Sequence, residues 1–264
     1  MIFTDMDIFI FTYAKDACML PQSVGAAARH GRVVLVDQAD APACAGEAEA
    51  LALGAAEYVR TEWPRGGNLN GVEAVRGMLD TYMVHGTDEW VMQLDSDMLL
   101  LDGAGLLGDA HADMYGQTIG WDDDKALRRA VQYCAGGGML IRRTMLEPMR
   151  KLMADEGIAA RVRSGAGYSD HVLTVLCGMA GGHVVQHRYQ AAQKAESGLL
   201  RRVGWYRWEE GYDLWRNSCA VHFYHKLAPG ATDDEQRAAT AETMRRVLAE
   251  FDAQQKQKEE NANV

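Results

Sequence analysis

The 264 residues are about one large domain or two small ones, and long enough to bury a sizeable core. Lys and Arg number 27 against 37 Asp and Glu, a net charge of −10, which argues against a surface built to coat nucleic acid, and 48% hydrophobic with 24% charged residues argues against disorder. No apolar run approaches the ~18–20 residues of a membrane span, the acidic start lacks the basic region of a signal peptide, and five cysteines without a C-x-x-C pair point to free thiols in a reducing cytoplasm.

Apolar runs and helical patterns alternate from the start. Ile8-Phe9-Ile10-Phe11 reads as a buried strand and residues 21–30 as a helix. Val33-Val34-Leu35-Val36 is a second strand ending at Asp37, residues 47–53 are helical, and Glu57-Tyr58-Val59 is a third strand. Asn70, with Glu73 three residues on, reads as the cap of a helix reaching about Val84, and Trp90 to Leu94 as a fourth strand. Strands alternating with helices at this spacing predict parallel strands with crossover helices, a Rossmann-like half. After about residue 110 the rhythm loosens. Strands are expected at 114–119, 138–141, 183–186 and 219–224, and helices at 144–155 and 169–179. A last helix from Asp233 to about Ala253 is expected to end in a frayed polar tail, 254–264. No repeat or linker divides the chain. The best parse is one α/β domain: a nucleotide-binding half over about 7–110, an irregular mixed-sheet acceptor half over about 111–228, and a C-terminal helix with its tail over 229–264.

The sharpest local signal is Leu94-Asp95-Ser96-Asp97-Met98. A hydrophobic strand delivers two carboxylates at its C-terminal end, where open α/β sheets bind ligands. Residues i and i+2 of an extended chain point the same way, so Asp95 and Asp97 can share one divalent ion. A second such pair, Asp5-Met6-Asp7, precedes its strand; its position at the wrong end of the sheet predicts solvated surface.

On these residues the chain resembles nucleotide-sugar glycosyltransferases of the A-type fold, whose Asp-x-Asp metal motif closes the strand after a first nucleotide-binding half. Downstream, 133–143 (Tyr-Cys-Ala-Gly-Gly-Gly-Met-Leu-Ile-Arg-Arg) resembles that fold's glycine-containing acceptor-side loop. Tyr168-Ser169-Asp170-His171 resembles its acid at a helix start, and Val221-His222-Phe223-Tyr224-His225-Lys226 its late histidine segment. The resemblance implies Mn²⁺ or Mg²⁺ on Asp95, Asp97 and His222, and a nucleoside-diphosphate sugar as donor. It places Thr12, Tyr13 and Asp37 around base and ribose, and Asp95 and Lys226 by the diphosphate. Arg65, Asn68 and Asn70 open a helix whose N-terminus suits phosphate and polar sugar groups. His222 stands between ligand and buried hydrogen-bonded histidine. His225 falls on the other face of its strand, and Lys226 stands between diphosphate contact and solvated lysine. Asp170 is either the general base for an acceptor hydroxyl or an acid compensating a helix dipole.

Two segments bear on the acceptor. Trp205, Tyr206, Trp208, Tyr212 and Trp215 cluster with Arg201, Arg202 and Arg207, a composition suited to sugar rings, bases or phosphates. Residues 125–163 carry Lys125, Arg128, Arg129, Arg142, Arg143, Arg150, Lys151, Arg161 and Arg163 against Glu147, Asp155 and Glu156, an excess of +6 that suggests an anionic acceptor such as a phosphate-bearing glycan or a hydroxylated DNA base. Two other readings stand beside the transferase. One is a haloacid-dehalogenase-type phosphatase with Asp95 in the nucleophile motif; the other is a catalytically inactive nucleotide-sugar-binding protein.

Overall fold

The computed structural model describes residues 6–12, 14–38, 42–65, 69–103, 111–116, 118–121, 131–134, 136–164, 168–186, 193–194, 200–201, 205–207, 219–223 and 231–262. The first half forms as the alternating pattern predicts. Strands β1 (Met6–Thr12), β2 (Arg32–Asp37), β3 (Glu57–Arg60) and β4 (Trp90–Asp95) are linked by helices α1 (Leu20–Ala27), α2 (Glu47–Ala52) and α3 (Val72–His85). All the strand pairings among them are parallel, in the order β3-β2-β1-β4. The C-terminal ends of β1, β2 and β4 therefore share one edge and bring Thr12, Asp37 and Asp95 to it.

The apolar runs sort by strand alternation. Ile8, Ile10, Val33, Leu35, Met92 and Leu94 face α1 and α2, while Phe9, Phe11, Val34, Val36 and Val91 face α3. Phe9 meets Tyr82 of α3 edge-on at 4.9 Å. Both faces are covered, as a parallel sheet requires, and each fully buried large side chain contributes ~1.5–3 kcal/mol. The start of α3 differs from expectation: its cap is Gly71, at φ 96°, with no side-chain cap. Glu73 instead lies 3.7 Å from Arg76 one turn on.

Past β4 the chain makes β5 (Met98–Leu100), β6 (Met114–Gly116), β7 (Thr118–Trp121), β8 (Val131–Cys134) and β9 (Leu140–Arg142). Helices α4 (Leu146–Leu152), α5 (Glu156–Ser164) and α6 (Ser169–Met179) follow, then β10 (Val184–Gln186). Strand β9 pairs antiparallel with β4 and extends the sheet to the order β10-β6-β9-β4-β1-β2-β3. The rest is β11 (Gln193–Lys194), β12 (Leu200–Arg201), β13 (Trp205–Arg207), β14 (Ala220–His222) and α7 (Asp233–Ala262). A small sheet β13-β14-β5 lies beside the main one; Leu99 and Val221 from it pack with Met19, Met244 and Val247. The mixed second half matches the expected fold class, a Rossmann-like half continued by an irregular mixed sheet.

Three further expectations are corrected. The polar tail is helical to Ala262, because α7 runs on past its buried stripe. Helix α5 falls outside the expected helices; its apolar pattern, Ile158-Ala159 and Val162, is short and opens just after Gly157. Asp7 is not solvated: it is fully buried and accepts hydrogen bonds from Arg32 at 2.8 Å and from the amides of Thr87 and Asp88. It braces the sheet at the end opposite Asp95. No helix among the described residues is long and apolar enough to cross a membrane.

Candidate metal and donor site

Asp95 is the last residue of β4, and Ser96-Asp97 form the turn into β5. Antiparallel pairing of β5 with β14 sets His222 opposite Met98, and the Phe223 amide donates to the Asp97 carbonyl at 2.9 Å. The imidazole Nε2 of His222 thus lies 3.1 Å from Asp97 Oδ1 and 3.8 Å from Asp95 Oδ2. One ligand atom from each of Asp95, Asp97 and His222 falls within 4.8 Å of the others. Two carboxylates and an imidazole, gathered without any thiolate, suit Mn²⁺ or Mg²⁺ better than a soft ion. Asp97 and His222 are buried, while the Asp95 side chain keeps 34% of its surface exposed.

The glycine loop forms the opposite wall. Gly138, at φ 81°, donates to the Gln93 carbonyl at 2.8 Å, and the Gln93 amide donates to the Met139 carbonyl at 2.8 Å. The loop therefore lies against the C-terminal end of β4. A Cβ on Gly137 would sit 2.4 Å from Met98 Sδ and 3.1 Å from Asp95 Oδ2; one on Gly136 would sit 2.8 Å from Gln93 Nε2. Only glycine lets this backbone approach so closely. Beyond it, Asp170 stands in the first turn of α6, its Oδ1 taking the His171 amide at 2.8 Å, with a further hydrogen bond from the Gly136 backbone.

Electrostatics tie the acids together. Burial raises Asp95 to about 6; His222 and Arg65 pull it down, while Asp97 and Asp170 push it up. Asp170 is also raised to about 6, by burial, against the backbone donors of His171 and Gly136. Burial likewise lowers His171 below the ordinary histidine range.

Two participants escaped the sequence reading. Asp16, in the short 3-10 turn after β1, is 3% exposed, and it accepts the Ser96 hydroxyl at 2.7 Å and the guanidinium of Arg237. An acid close behind a strand end was a usable signal for Asp16. Nothing local marked Arg237, which arrives from α7.

The other expected residues are distributed as follows. Thr12 is buried and donates to Cys44 Sγ at 3.2 Å. Asp37 is fully buried and accepts from the Cys44 amide and the Tyr58 hydroxyl, both at 2.8 Å, with Arg60 3.1 Å from its other oxygen. Its carboxylate is thus engaged by protein groups, Arg60 at the end of β3 among them. Arg65 and Asn70 are half-buried, and the charge of Arg65 acts on Asp95 and Asp16. Tyr13, Asn68, His225 and Lys226 lie outside the described residues, as do Trp208, Tyr212, Trp215, Lys125, Arg128 and Arg129.

Several basic residues of the stretch are paired with acids where it is described. Arg142 pairs with Glu89 and lies 4.5 Å over the Trp90 ring; Arg150 pairs with Asp80, Lys151 with Glu147, and Arg163 with Glu156. Glu89 and Asp80, from outside the stretch, offset two of its six excess charges; Glu147 and Glu156 belong to the stretch and are already in that count.

Fold and site together define an α/β protein with a divalent-cation-competent acidic centre at the C-terminal edge of its parallel strands, the arrangement that the A-type glycosyltransferase resemblance implies. No protein-family model matches the sequence, and no curated protein does. Among solved structures the chain is similar to the apo-form glycosyltransferase GlyE of Streptococcus pneumoniae TIGR4, with 10% identity and a TM-score of 0.40 over 69% of this chain and 45% of that one. It is also similar to a glycosyltransferase involved in the glycosylation of the major capsid of PBCV-1, with 9% identity and a TM-score of 0.48 over 89% of this chain and 98% of that one. The chain spans less than half the length of the GlyE structure.

Proposed function

We propose that this chain is a glycosyltransferase that moves a sugar from a nucleoside-diphosphate sugar to a hydroxyl acceptor. The observation that carries the reading is the convergence of Asp95, Asp97 and His222 within 4.8 Å at the ligand-binding edge of the sheet. A Mn²⁺ or Mg²⁺ bound there would neutralise the charge of the departing diphosphate. Arg65, whose charge already reaches Asp95, adds a fixed cation beside the same group. Asp170 is the general base: raised to about 6, it remains mostly ionised at pH 7 yet has gained basicity toward an acceptor hydroxyl. The glycine loop holds Asp170 and Asp95 on its two sides and leaves the backbone thin between them. The nucleotide half supplies Thr12, Asp37 and its partner Arg60 near the base and ribose, with Tyr13, Asn68, Asn70 and Lys226 as further donor contacts. The acceptor needs a hydroxyl, and an anionic one such as a phosphate-bearing glycan or a hydroxylated DNA base stays part of this reading, although Arg142 and Arg150 already pair with Glu89 and Asp80.

The phosphatase reading is weaker, because its nucleophile closes the first strand of the core, whereas β1, β2 and β3 all precede β4 in this chain. A thermal-shift panel of nucleotide sugars with Mn²⁺ tests the proposal. A ligand at ~100 times its dissociation constant stabilises by ~2.7 kcal/mol. Stabilisation by at least one nucleotide sugar that vanishes on chelation is the expected result. Phosphomonoester hydrolysis without any nucleotide response would contradict it.

A further inference from the structure

Asp16 and Arg237 form a buried ion pair beside the candidate centre, and the transfer chemistry uses neither. The two oxygens of the Asp16 carboxylate have separate duties: Oδ1 takes Arg237, and Oδ2 takes the hydroxyl of Ser96 at 2.7 Å. Asp16 is 3% and Arg237 6% exposed. Burying two charges costs their hydration, and replacing such a pair by apolar groups is often neutral or stabilising, so the pair is a poor device for stability alone. What it does well is hold one geometry. Ser96 is the residue between the two candidate carboxylate ligands, so a displacement at Ser96 moves both. Arg237 itself comes from a firmly seated element. Ala241, Met244 and Val247 further along α7 pack on Met19, Ala26, Leu99 and Val221. Lys15 adds an ion pair to Asp233 at the start of the helix.

We propose that Asp16 and Arg237 are positioning residues: through Ser96 they hold the Asp95-Ser96-Asp97 turn in its cation-ligating geometry, so that the seating of α7 sets the affinity for the cation. This rests on reading Asp95, Asp97 and His222 as a cation site. Partners that hydrogen-bond directly to metal ligands typically govern affinity by ~10–100-fold; Asp16 reaches the ligands only through Ser96, so the lower end of that range is expected.

The test is calorimetric titration of Mn²⁺ into the full chain, as wild type, Ser96→Ala, Arg237→Met, Arg237→Lys and the Ser96→Ala/Arg237→Met double variant, with melting temperatures measured without metal. Ser96→Ala should weaken Mn²⁺ binding by ~10-fold, and because it leaves a buried Asp16 oxygen unpaired, the metal-free melting temperature should fall by roughly 2–12 °C with one cooperative transition retained. Arg237→Met should weaken binding similarly and Arg237→Lys should restore part of it. The double variant should be no worse than the weaker single, because both cut the same relay. If Arg237→Met fails to fold, Ser96→Ala still decides the matter. Wild-type affinity in Ser96→Ala, or fully additive losses in the double variant, overturns the relay while leaving the cation site standing. A wild-type chain that binds no divalent cation overturns the site reading, and this inference with it.

Discussion

His222 lies 3.1 Å from Asp97 because β14 and β5 pair antiparallel, with His222 opposite Met98. A late strand thereby completes a centre begun at the end of β4, and the cluster exists only in the folded chain. Asp97→Asn should remove detectable Mn²⁺ binding, a loss larger than the ~10–100-fold caused by losing an outer partner. Asp16 and Asp95 both lie in the field of Asp97, so neutralising it relieves like-charge repulsion and should leave the metal-free melting temperature equal or higher. Calorimetry and a thermal melt on one preparation check both halves, and retained Mn²⁺ affinity would remove Asp97 from the ligand set.

Asp170→Asn should cut turnover by ~10²–10⁴ with nucleotide affinity unchanged, the signature of a lost general base. In the wild type, turnover should fall about tenfold per pH unit below about 6, where Asp170 takes up its proton. The stability sign is opposite to that of a salt-bridged acid. Between roughly pH 4 and 6 the folded chain keeps a proton on Asp170 that the unfolded chain has released, so its contribution to stability falls as pH rises through that window. Asn carries no such charge. The variant's melting temperature should therefore depend less on pH there, which a set of buffered melts would reveal.

Gly137→Ala should damage the centre from the loop side. Its Cβ would press on Met98 Sδ and Asp95 Oδ2, and overpacking of this kind typically costs ~1–3 kcal/mol. Reduced Mn²⁺ affinity together with a lowered melting temperature is expected. A variant with both properties intact would show that the loop does not bear on Asp95.

Asp7 offers the contrasting case. Asp7→Ala strands the amides of Thr87 and Asp88 and removes a partner of Arg32, and buried donors left unmade cost ~1–3 kcal/mol. Chemical denaturation should show that loss, while Mn²⁺ affinity stays at the wild-type value.

The first half was legible because parallel strands buried on both faces write themselves as apolar runs: Ile8 to Phe11 and Val33 to Val36 each became a central strand. Asp95 and Asp97 were legible for a related reason, since a strand end locates a site better than the motif does. The same position argument put Asp7 at the correct end of the sheet and gave it the wrong environment. Periodicity says nothing about Arg32, which arrives from the neighbouring strand to neutralise it. Arg237 and the ion pairs of Arg142 and Arg150 were hidden similarly, their partners being set by packing between distant elements. Linear charge excess therefore overstates the free positive charge at 142–163, where Glu89 and Asp80 supply two counter-charges from outside the stretch.

The central claim, that a cation on Asp95, Asp97 and His222 holds a nucleoside-diphosphate sugar, is tested most directly by measuring nucleoside-diphosphate affinity with Mn²⁺ and again after chelation, in the wild type and in Asp97→Asn. The account predicts binding in the wild type that collapses on chelation and is absent from the variant in either condition. Equal nucleotide affinity with and without the metal, or in the variant, would contradict it.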